Sequence, residues 1–288
     1  MGALLGQLAC RRPGASASIP VVLGQVSLEV IAPSGDAPAV DRDALISLAR
    51  AQLTKAGVFA VEGSKQGVAI ATVRIGLAME SAQVEGQAAA RAMVRLKITT
   101  RPEGVASAHF AEDTRASAEM LYKPDAGTDV TLVFQRLAER SIVDLLSSYV
   151  SRQKLWTADR VALQNVLRTP GDLRLEAIRV VAARKLIDEV PTLLSLLSDE
   201  DETVRDAALG ALVSLRDRRA VPALTKTRSM RDLREMGKIV DALATLGGQE
   251  AFDYLAFVAD THESEEIRKL AAKAMQRVKS QAAGGQEP

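Results

Sequence analysis

The side chains best suited to nucleophilic, acid–base or zinc chemistry are few in this sequence and lie far apart. There is one cysteine, Cys10, and there are two histidines, His109 and His262. A histidine base needs a positioned nucleophile or ligand partner, and neither surrounding stretch supplies one, so we expect both histidines to be solvated surface residues. A single cysteine excludes an internal disulfide, and no Cys/His spacing resembles a zinc site. The sequence therefore predicts no catalytic residue, no metal and no cofactor.

Two acidic clusters and two glycine pairs have the composition of ion or phosphate sites. The clusters are "SDEDE" (198–202) and "HESEE" (262–266), and each comes just before a predicted helix. Carboxylates there cap backbone amides and face the positive end of the helix dipole, so we interpret both clusters as helix caps rather than metal ligands. Gly247-Gly248 and Gly284-Gly285 lack the preceding strand and following helix of a phosphate-binding loop.

Residues 216–238, which we call the basic segment, are a candidate binding surface. The sequence there is "RDRRAVPALTKTRSMRDLREMGK", in which eight basic residues outnumber three acidic ones. From this segment we select Arg219, Lys226, Arg228 and Arg231 as partner-binding residues. The alternative is an ordinary solvated helix face with ion pairs between residues four apart.

Composition favours a soluble globular protein and excludes several broad classes. Apolar residues make up 47% and charged residues 25%, with a net charge of +1, which are ordinary values. Neither half of the chain has the basic excess of a nucleic-acid binder, and aromatics, at 3%, are too scarce to build base-stacking platforms. No apolar run approaches the roughly 20 residues that span a bilayer. We therefore expect a protein partner rather than nucleic acid.

The first half of the chain alternates strands and helices. The runs "QVSLEVI", "TVRIGLAME" and "AMVRLKITT" have the period-2 apolar pattern of half-buried strands, and "ASAHFAEDTRASAEM" has a weaker one. Helices are predicted in "DRDALISLARAQLTKAG", with Asp41 as cap and Gly57 at the end, and from about Asp129 to Val150. The order β-α-β-β-β-α with polar outer strand faces predicts an antiparallel or mixed sheet with two helices on one side, an α+β sandwich.

The second half repeats a helical pattern with a period of 31 residues. "DETVRDAALGALVSLRDRRAVPAL" (201–224) aligns with "DLRLEAIRVVAARKLIDEVPTLL" upstream and with "MGKIVDALATLGGQEAFDYLAF" downstream. A further "EEIRKLAAKAMQRV" repeats the first helix, and "TADRVALQNVL" precedes the array as an unpaired helix. Each unit predicts two antiparallel helices that stack on their neighbours to share a core. We expect Asp201 to cap the first helix, Pro222 to lie in the first turn of the second, and the small residues Ala207, Ala208, Gly210 and Ala211 to allow close packing.

These units resemble short bacterial HEAT repeats of the phycobilisome-lyase type. The family pattern is met best at Asp201, Val204, Arg205, Ala207, Ala208, Asp217, Val221 and Pro222, and the resemblance covers residues 155–279. The third unit departs from it, because Asp253 replaces the proline and Gly247-Gly248 replaces the charged turn. The resemblance implies an all-α HEAT-like solenoid with a scaffold or recognition role. Arg219, Lys226 and Arg228 would then line its inner surface if they share the second-helix side.

The first domain is similar in element order to the α/β domains of Tol-type translocation proteins and of penicillin-binding-protein activators. The stretches that carry this similarity are "KAGVFAVEG", "VAIATVRIGLAME" and "RAMVRLKITTRPEG". We predict a signal remnant or flexible tether at 1–19, an α+β domain at 20–153, HEAT-like repeats at 155–279 and a disordered tail at 280–288.

These features favour a non-enzymatic interaction protein that holds a macromolecular partner. One alternative is an enzyme of the HEAT-like class, either a lyase acting on a bound chromophore or a base-excision enzyme that uses the basic segment. Another is a small-ligand carrier built on the sheet of the first domain. DNA binding that falls steeply with salt would favour the base-excision enzyme.

The amino terminus resembles a bacterial lipoprotein signal. "ALLGQLAC" places an apolar run and Ala9 before Cys10, and a Pro/Gly/Ala/Ser stretch follows. The pattern departs from the family at Gln7, where leucine is expected, and the nine residues before the cysteine are short for a signal. We expect lipidation at Cys10 and a location in the bacterial envelope. The alternatives are an incidental cysteine and a cytoplasmic protein.

Overall fold

The chain divides into two compact units, with the boundary between Thr157 and Ala158. The computed structural model describes residues 21–31, 38–59, 69–102, 110–124, 127–226 and 232–284. The boundary lies a few residues after the predicted one at 153–155. The predicted tether at 1–19 lies outside the described residues.

A four-stranded mixed sheet forms the first unit, as predicted. The strands are β1 (Val21–Val30), β2 (Ala69–Val84), β3 (Gln87–Pro102) and β4 (Phe110–Tyr122), side by side in that order. β1 runs parallel to β2, and the other two pairs are antiparallel. Glu85 and Gly86 connect β2 to β3 with φ values of 50° and 79°, which is the left-handed backbone that a two-residue hairpin requires.

Two helices cover one face of the sheet. α1 (Arg42–Lys55) is capped by Asp41, and α2 (Val130–Leu155) by Asp129, whose side chains accept hydrogen bonds from the helix amides. The inward-facing residues of β1 to β3 share one core with Leu45 and Phe134, which are fully buried. α2 is five residues longer than predicted, because its apolar face continues through Tyr149 and Leu155.

Described residues of the second unit form helices and short turns. The helices are α3 (Arg160–Arg168), α4 (Leu173–Arg184), α5 (Val190–Leu196), α6 (Glu202–Leu215), α7 (Val221–Thr225), α8 (Leu233–Leu246), α9 (Gln249–Thr261) and α10 (Glu265–Gly284). α6 and α8 are offset by 31 residues at both ends, and so are the 3₁₀ turns Ile187–Glu189 and Arg218–Ala220. α10 continues into the segment predicted as a tail and ends at Gly284.

Helix ends confirm the repeat register. Lys185, Arg216 and Gly247 are 31 residues apart, each follows a first helix, and all three have a positive φ, of 54°, 53° and 64°; Lys185 and Arg216 are in the left-handed helical region, whereas Gly247 has a ψ of −165°. A left-handed residue at this position closes the helix, and glycine adopts it most readily. Gly247 therefore keeps the register of the third unit rather than breaking it. Pro222 lies in the first turn of α7, as predicted.

The small residues of α6 do not all serve close packing. Ala208 and Ala211 are buried as expected, but Gly210 is exposed and a Cβ there would meet nothing within 4 Å. The prediction for Gly210 was wrong, because Gly210 lies on the solvent side of the helix while Ala208 and Ala211 lie on the packed side.

Candidate partner-binding site

The structure places two of the four predicted partner-binding residues. Arg219 lies in the 3₁₀ turn before α7, and Lys226 is the exposed residue at the end of that helix. Arg228 and Arg231 lie outside the described residues. Arg219 and Lys226 are thus carried by one turn and the short helix that follows it.

Arg219 is held in a fixed orientation by Asp217. Its Nε and Nη2 atoms donate hydrogen bonds of 2.9 and 2.6 Å to the Asp217 carboxylate, which also accepts from the Arg219 backbone amide at 2.9 Å. These hydrogen bonds lower the pKa of Asp217 and raise that of Arg219. The side chain of Asp217 is nearly buried, whereas 53% of the Arg219 side chain remains exposed. Arg219 therefore presents an oriented guanidinium at the surface.

Other cations of the basic segment are engaged within the fold. Arg234 lies 3.5 Å from Glu202 across the repeat boundary. Arg216 supplies the left-handed residue that ends α6. Because Arg219 and Arg234 lie beside carboxylates, the segment carries less free positive charge than its composition indicates.

Lys238 is surrounded by three carboxylates. Its Nζ donates to Asp206 at 2.7 Å, to Glu235 at 2.8 Å and to Glu202 at 3.3 Å. Burial alone would lower the pKa of Lys238, but these hydrogen bonds outweigh it and raise the pKa. The carboxylate oxygens approach one another closely enough for a shared cation, and the Lys238 ammonium already fills that role. The cluster joins α6 to α8.

Sequence analysis missed the contact made by Arg218. Its Nε donates to the Leu246 carbonyl at 3.2 Å, and its side chain lies against Gly248. Gly248 begins the turn into α9, and its backbone lies within van der Waals reach of the Arg218 side chain. The arginine therefore links one repeat to the next. A cleft of about 500 Å³ opens beside it, lined by Phe252 and Lys279 among others.

An arginine recurs at one position of the first helices and supports the fold. Arg174, Arg205 and Arg268 each donate to backbone carbonyls of the turn that precedes their own helix. Arg174 also pairs with Asp199 at 2.6 Å. The arginine of the repeat pattern thus satisfies carbonyl groups of the turn between repeats.

His262 is buried, which contradicts the prediction of a solvated surface histidine. Only 5% of it is exposed, and its Nδ1 accepts a hydrogen bond from the Ser264 amide at 3.0 Å. The ring lies in the turn between α9 and α10, and this hydrogen bond stabilises the turn. His109 and Cys10 lie outside the described residues. The acidic residues around 198–202 act as predicted, since Asp201 caps α6.

Comparison with known proteins identifies the class of the second unit. Residues 161–234 match the family described as HEAT repeats, and this part of the chain is a HEAT repeat region. No curated protein matches the sequence significantly.

The solved structures that are similar to this chain include two bacterial examples. One is the complex of CpcE and CpcF of phycocyanin lyase from Nostoc sp. PCC7120, with a TM-score of 0.36, 22% identity, and coverage of 55% of this chain and 69% of that one. The other is a minor lipoprotein from Acinetobacter baumannii, with a TM-score of 0.30, 19% identity, and coverage of 46% and 92%. Among the described residues, no helix has the length and apolar character to cross a membrane.

Proposed function

We propose that this chain is a non-enzymatic interaction protein that holds a protein partner through its HEAT repeat region. The contact surface comprises Arg219, Lys226, Arg228 and Arg231. The observation that carries the proposal is the geometry of Arg219, which is oriented by Asp217 yet half exposed. An arginine already held in one rotamer loses little conformational entropy when a partner binds it.

The Asp217 carboxylate leaves part of the guanidinium available. Asp217 accepts from Nε and Nη2, and no described residue accepts from Nη1. A partner carboxylate or carbonyl can therefore approach from the exposed side, and the positive charge of Lys226 adds attraction at longer range. Arginines of this kind are enriched among the residues that dominate binding energy.

Affinity capture with the full chain tests this proposal. The protein is immobilised, exposed to an extract of its own host, and the captured proteins are quantified by mass spectrometry. The test variant is Lys226→Glu with Arg228→Glu, and the matched control is Lys273→Glu, an exposed lysine on α10. We expect one or a few proteins to be captured by the wild type and the control, and at least about tenfold less by the double variant. Equal capture by all three would refute the assignment of this surface.

We further propose that the protein is anchored in the bacterial envelope through Cys10. The support is the sequence "ALLGQLAC" and the Pro/Gly/Ala/Ser stretch after it. A lipid chain on the cysteine would tether the folded units to a membrane. Expression with the native upstream region, followed by fractionation of the wild type and Cys10→Ser, tests it. We expect the wild type in the membrane fraction and the variant released from it; two soluble cytoplasmic forms would contradict the proposal.

A further inference from the structure

The face of the sheet opposite α1 and α2, which we call the open face, is built from exposed side chains. Along β3, Arg91, Met93, Arg95 and Lys97 point outward and alternate with buried residues. A soluble protein gains no stability from exposing Met93, which is 55% exposed. The basic and acidic side chains of this face are also concentrated in different rows.

Like charges lie directly opposite each other in two neighbouring rows of the open face. Arg74 on β2 is in register with Lys97 on β3, and Arg95 on β3 is in register with Arg115 on β4. Like charges in register across neighbouring strands destabilise a sheet. Two carboxylates lie with these four cations, which we call the cation group. Asp113 is in register with Lys97 and accepts a hydrogen bond of 2.7 Å from Arg95 Nε, and Glu29 on β1 lies in the row of Arg95, beyond Gly76. The cations of the group therefore outnumber its carboxylates by two.

An apolar strip lies beside the cation group. Met93 is in register with Ala78 on β2 and Ser117 on β4, and these small neighbours leave a shallow groove of about 410 Å³ around it. Ile31, 54% exposed, lies at one end of the strip. The groove offers room for one apolar side chain of a partner.

The far side of the groove is bordered by an ion-pair row with one more acidic than basic residue. Arg91 lies between Glu119, at 2.5 Å, and Glu80, at 3.8 Å. Along the strands, the open face therefore presents in order a surplus of positive charge, an apolar strip and a slightly acidic row. Successive rows are two residues apart along a strand, or about 7 Å.

We propose that the open face is a second docking surface, which binds an acidic protein segment whose apolar residue enters the groove at Met93 and whose carboxylates meet the cation group. This surface lies in the first unit and is independent of the HEAT surface proposed above. The argument is charge complementarity: bound carboxylates would relieve the two like-charge pairs that the free sheet tolerates. Sequences accept such local costs most often where they serve binding.

The same features favour a protein segment over two other anionic partners. Nucleic acid would find no exposed aromatic side chain on the described part of this face for base stacking. An anionic bilayer would be repelled by the negative charges of Glu80 and Glu119, which lie beside the apolar strip. A peptide, by contrast, can place an acidic and an apolar side chain about 7 Å apart, which is the distance between successive rows.

Selection from a random twelve-residue peptide phage library tests the proposal. The immobilised full chain is the bait, and clones that bind the support without the protein are removed. The enriched peptides are synthesised, and their dissociation constants are measured by fluorescence anisotropy. We expect these peptides to share an apolar residue with Asp or Glu within a few positions on one side.

Matched variants separate the open face from nonspecific attraction. Met93→Glu and Arg115→Glu should each weaken peptide binding by about tenfold or more, whereas the exposed α2 residues give the controls Leu132→Glu and Arg136→Glu, which should leave it unchanged. Arg115→Glu should not lower the melting temperature, because it removes a like-charge pair with Arg95. If Met93→Glu fails to fold, Arg115→Glu carries the comparison alone.

Several results would overturn the proposal. They are the absence of any enriched peptide, equal binding to all four variants, or enriched peptides without acidic residues. Binding of single-stranded DNA or phosphatidylglycerol vesicles that is lost with Arg115→Glu, without peptide binding, would assign the face to a different partner. A change in oligomeric state caused by Met93→Glu would assign it to a second copy of the chain.

Discussion

At the scale of single residues, ion pairing decides how much each charged side chain contributes to stability and how much of its charge is available to a partner. Arg219 is a partner-binding candidate on the basis of its charge and position in the basic segment alone. The structure shows that Arg219 is bound to Asp217 through two of its nitrogens. An Arg219→Glu change would place two carboxylates together, and Lys226, which no described residue pairs, is the better position for a charge reversal that tests binding alone.

Asp217→Ala should lower stability while Asp241→Ala should not. Asp217 accepts hydrogen bonds from the Arg219 amide and guanidinium, so its loss should cost about 1 kcal/mol. Asp241 is 64% exposed and only pairs with Arg277 at 3.3 Å. Chemical denaturation of both variants at pH 7 measures the difference.

The effect of Asp217 should depend on pH in one direction. Because its pKa is lowered below the ordinary 3.8 in the folded protein, its stabilisation is present above that value and lost as the pH falls through the lowered pKa. The stability difference between wild type and Asp217→Ala should therefore close in strong acid. A difference that grows on acidification would contradict the pairing.

Lys238→Met should destabilise the link between α6 and α8. The substitution leaves three carboxylates close together without their cation, and we expect a loss of about 1–2 kcal/mol. The matched control is Lys269→Met, which removes an exposed helix pair with Glu265 and should cost at most about 0.5 kcal/mol. Denaturant unfolding at pH 7 distinguishes the two.

The raised pKa of Lys238 fixes the pH range of its contribution. The stabilisation is complete below the ordinary pKa of 10.5 and is lost as the pH rises through the higher folded value. The stability gap between wild type and Lys238→Met should stay constant around neutral pH and narrow in strong alkali. A gap that closes near pH 7 would show that the ammonium is not held by the carboxylates.

Sequence patterns did not reveal the burial of His262 or the contact of Arg218. His262 stands in the acidic stretch "HESEE", whose local polarity predicts exposure. Its burial depends on how α9 and α10 meet at the turn, and its Nδ1 is satisfied by a nearby backbone amide. Such contacts arise from tertiary packing, which a local pattern cannot express.

At the scale of elements, periodicity predicted most of the structure. Alternation in β1 to β3 identified the buried face of the sheet, and the 31-residue period gave the register of α6 and α8. The sequence could not distinguish parallel from antiparallel pairing of β1 with β2, because the apolar alternation of each strand is the same in both arrangements. The register of the third repeat was clear only from the structure, in which Gly247 ends α8 with a positive φ at the position of Lys185 and Arg216.

Two substitutions in α6 should have opposite effects on stability. Gly210→Ala should stabilise the protein by about 0.5–1 kcal/mol, because the position is helical, exposed and open. Ala208→Leu should destabilise it by about 1–3 kcal/mol, because Ala208 is fully buried in the repeat core. Thermal melting of the two variants is the measurement. A destabilising Gly210→Ala would mean that this helix face is packed.

At the scale of the whole molecule, the two units differ in secondary structure and should fold separately. The described strands all lie before Thr157, and the described residues after it are helices and turns. Residues 158–288 expressed alone should therefore give a circular dichroism spectrum of almost pure helix, with a cooperative melt. A substantial strand signal, or a chain without a melting transition, would contradict the independence of the HEAT region.

The central claim is that the HEAT repeat region holds the protein partner. The direct measurement is the dissociation constant of a partner captured by the full chain, determined by calorimetry for the full chain, for residues 158–288 and for the Lys226→Glu, Arg228→Glu double variant. We expect residues 158–288 to bind within about threefold of the full chain and the double variant to bind at least about tenfold more weakly. Loss of binding by residues 158–288, or undiminished binding by the double variant, would contradict it.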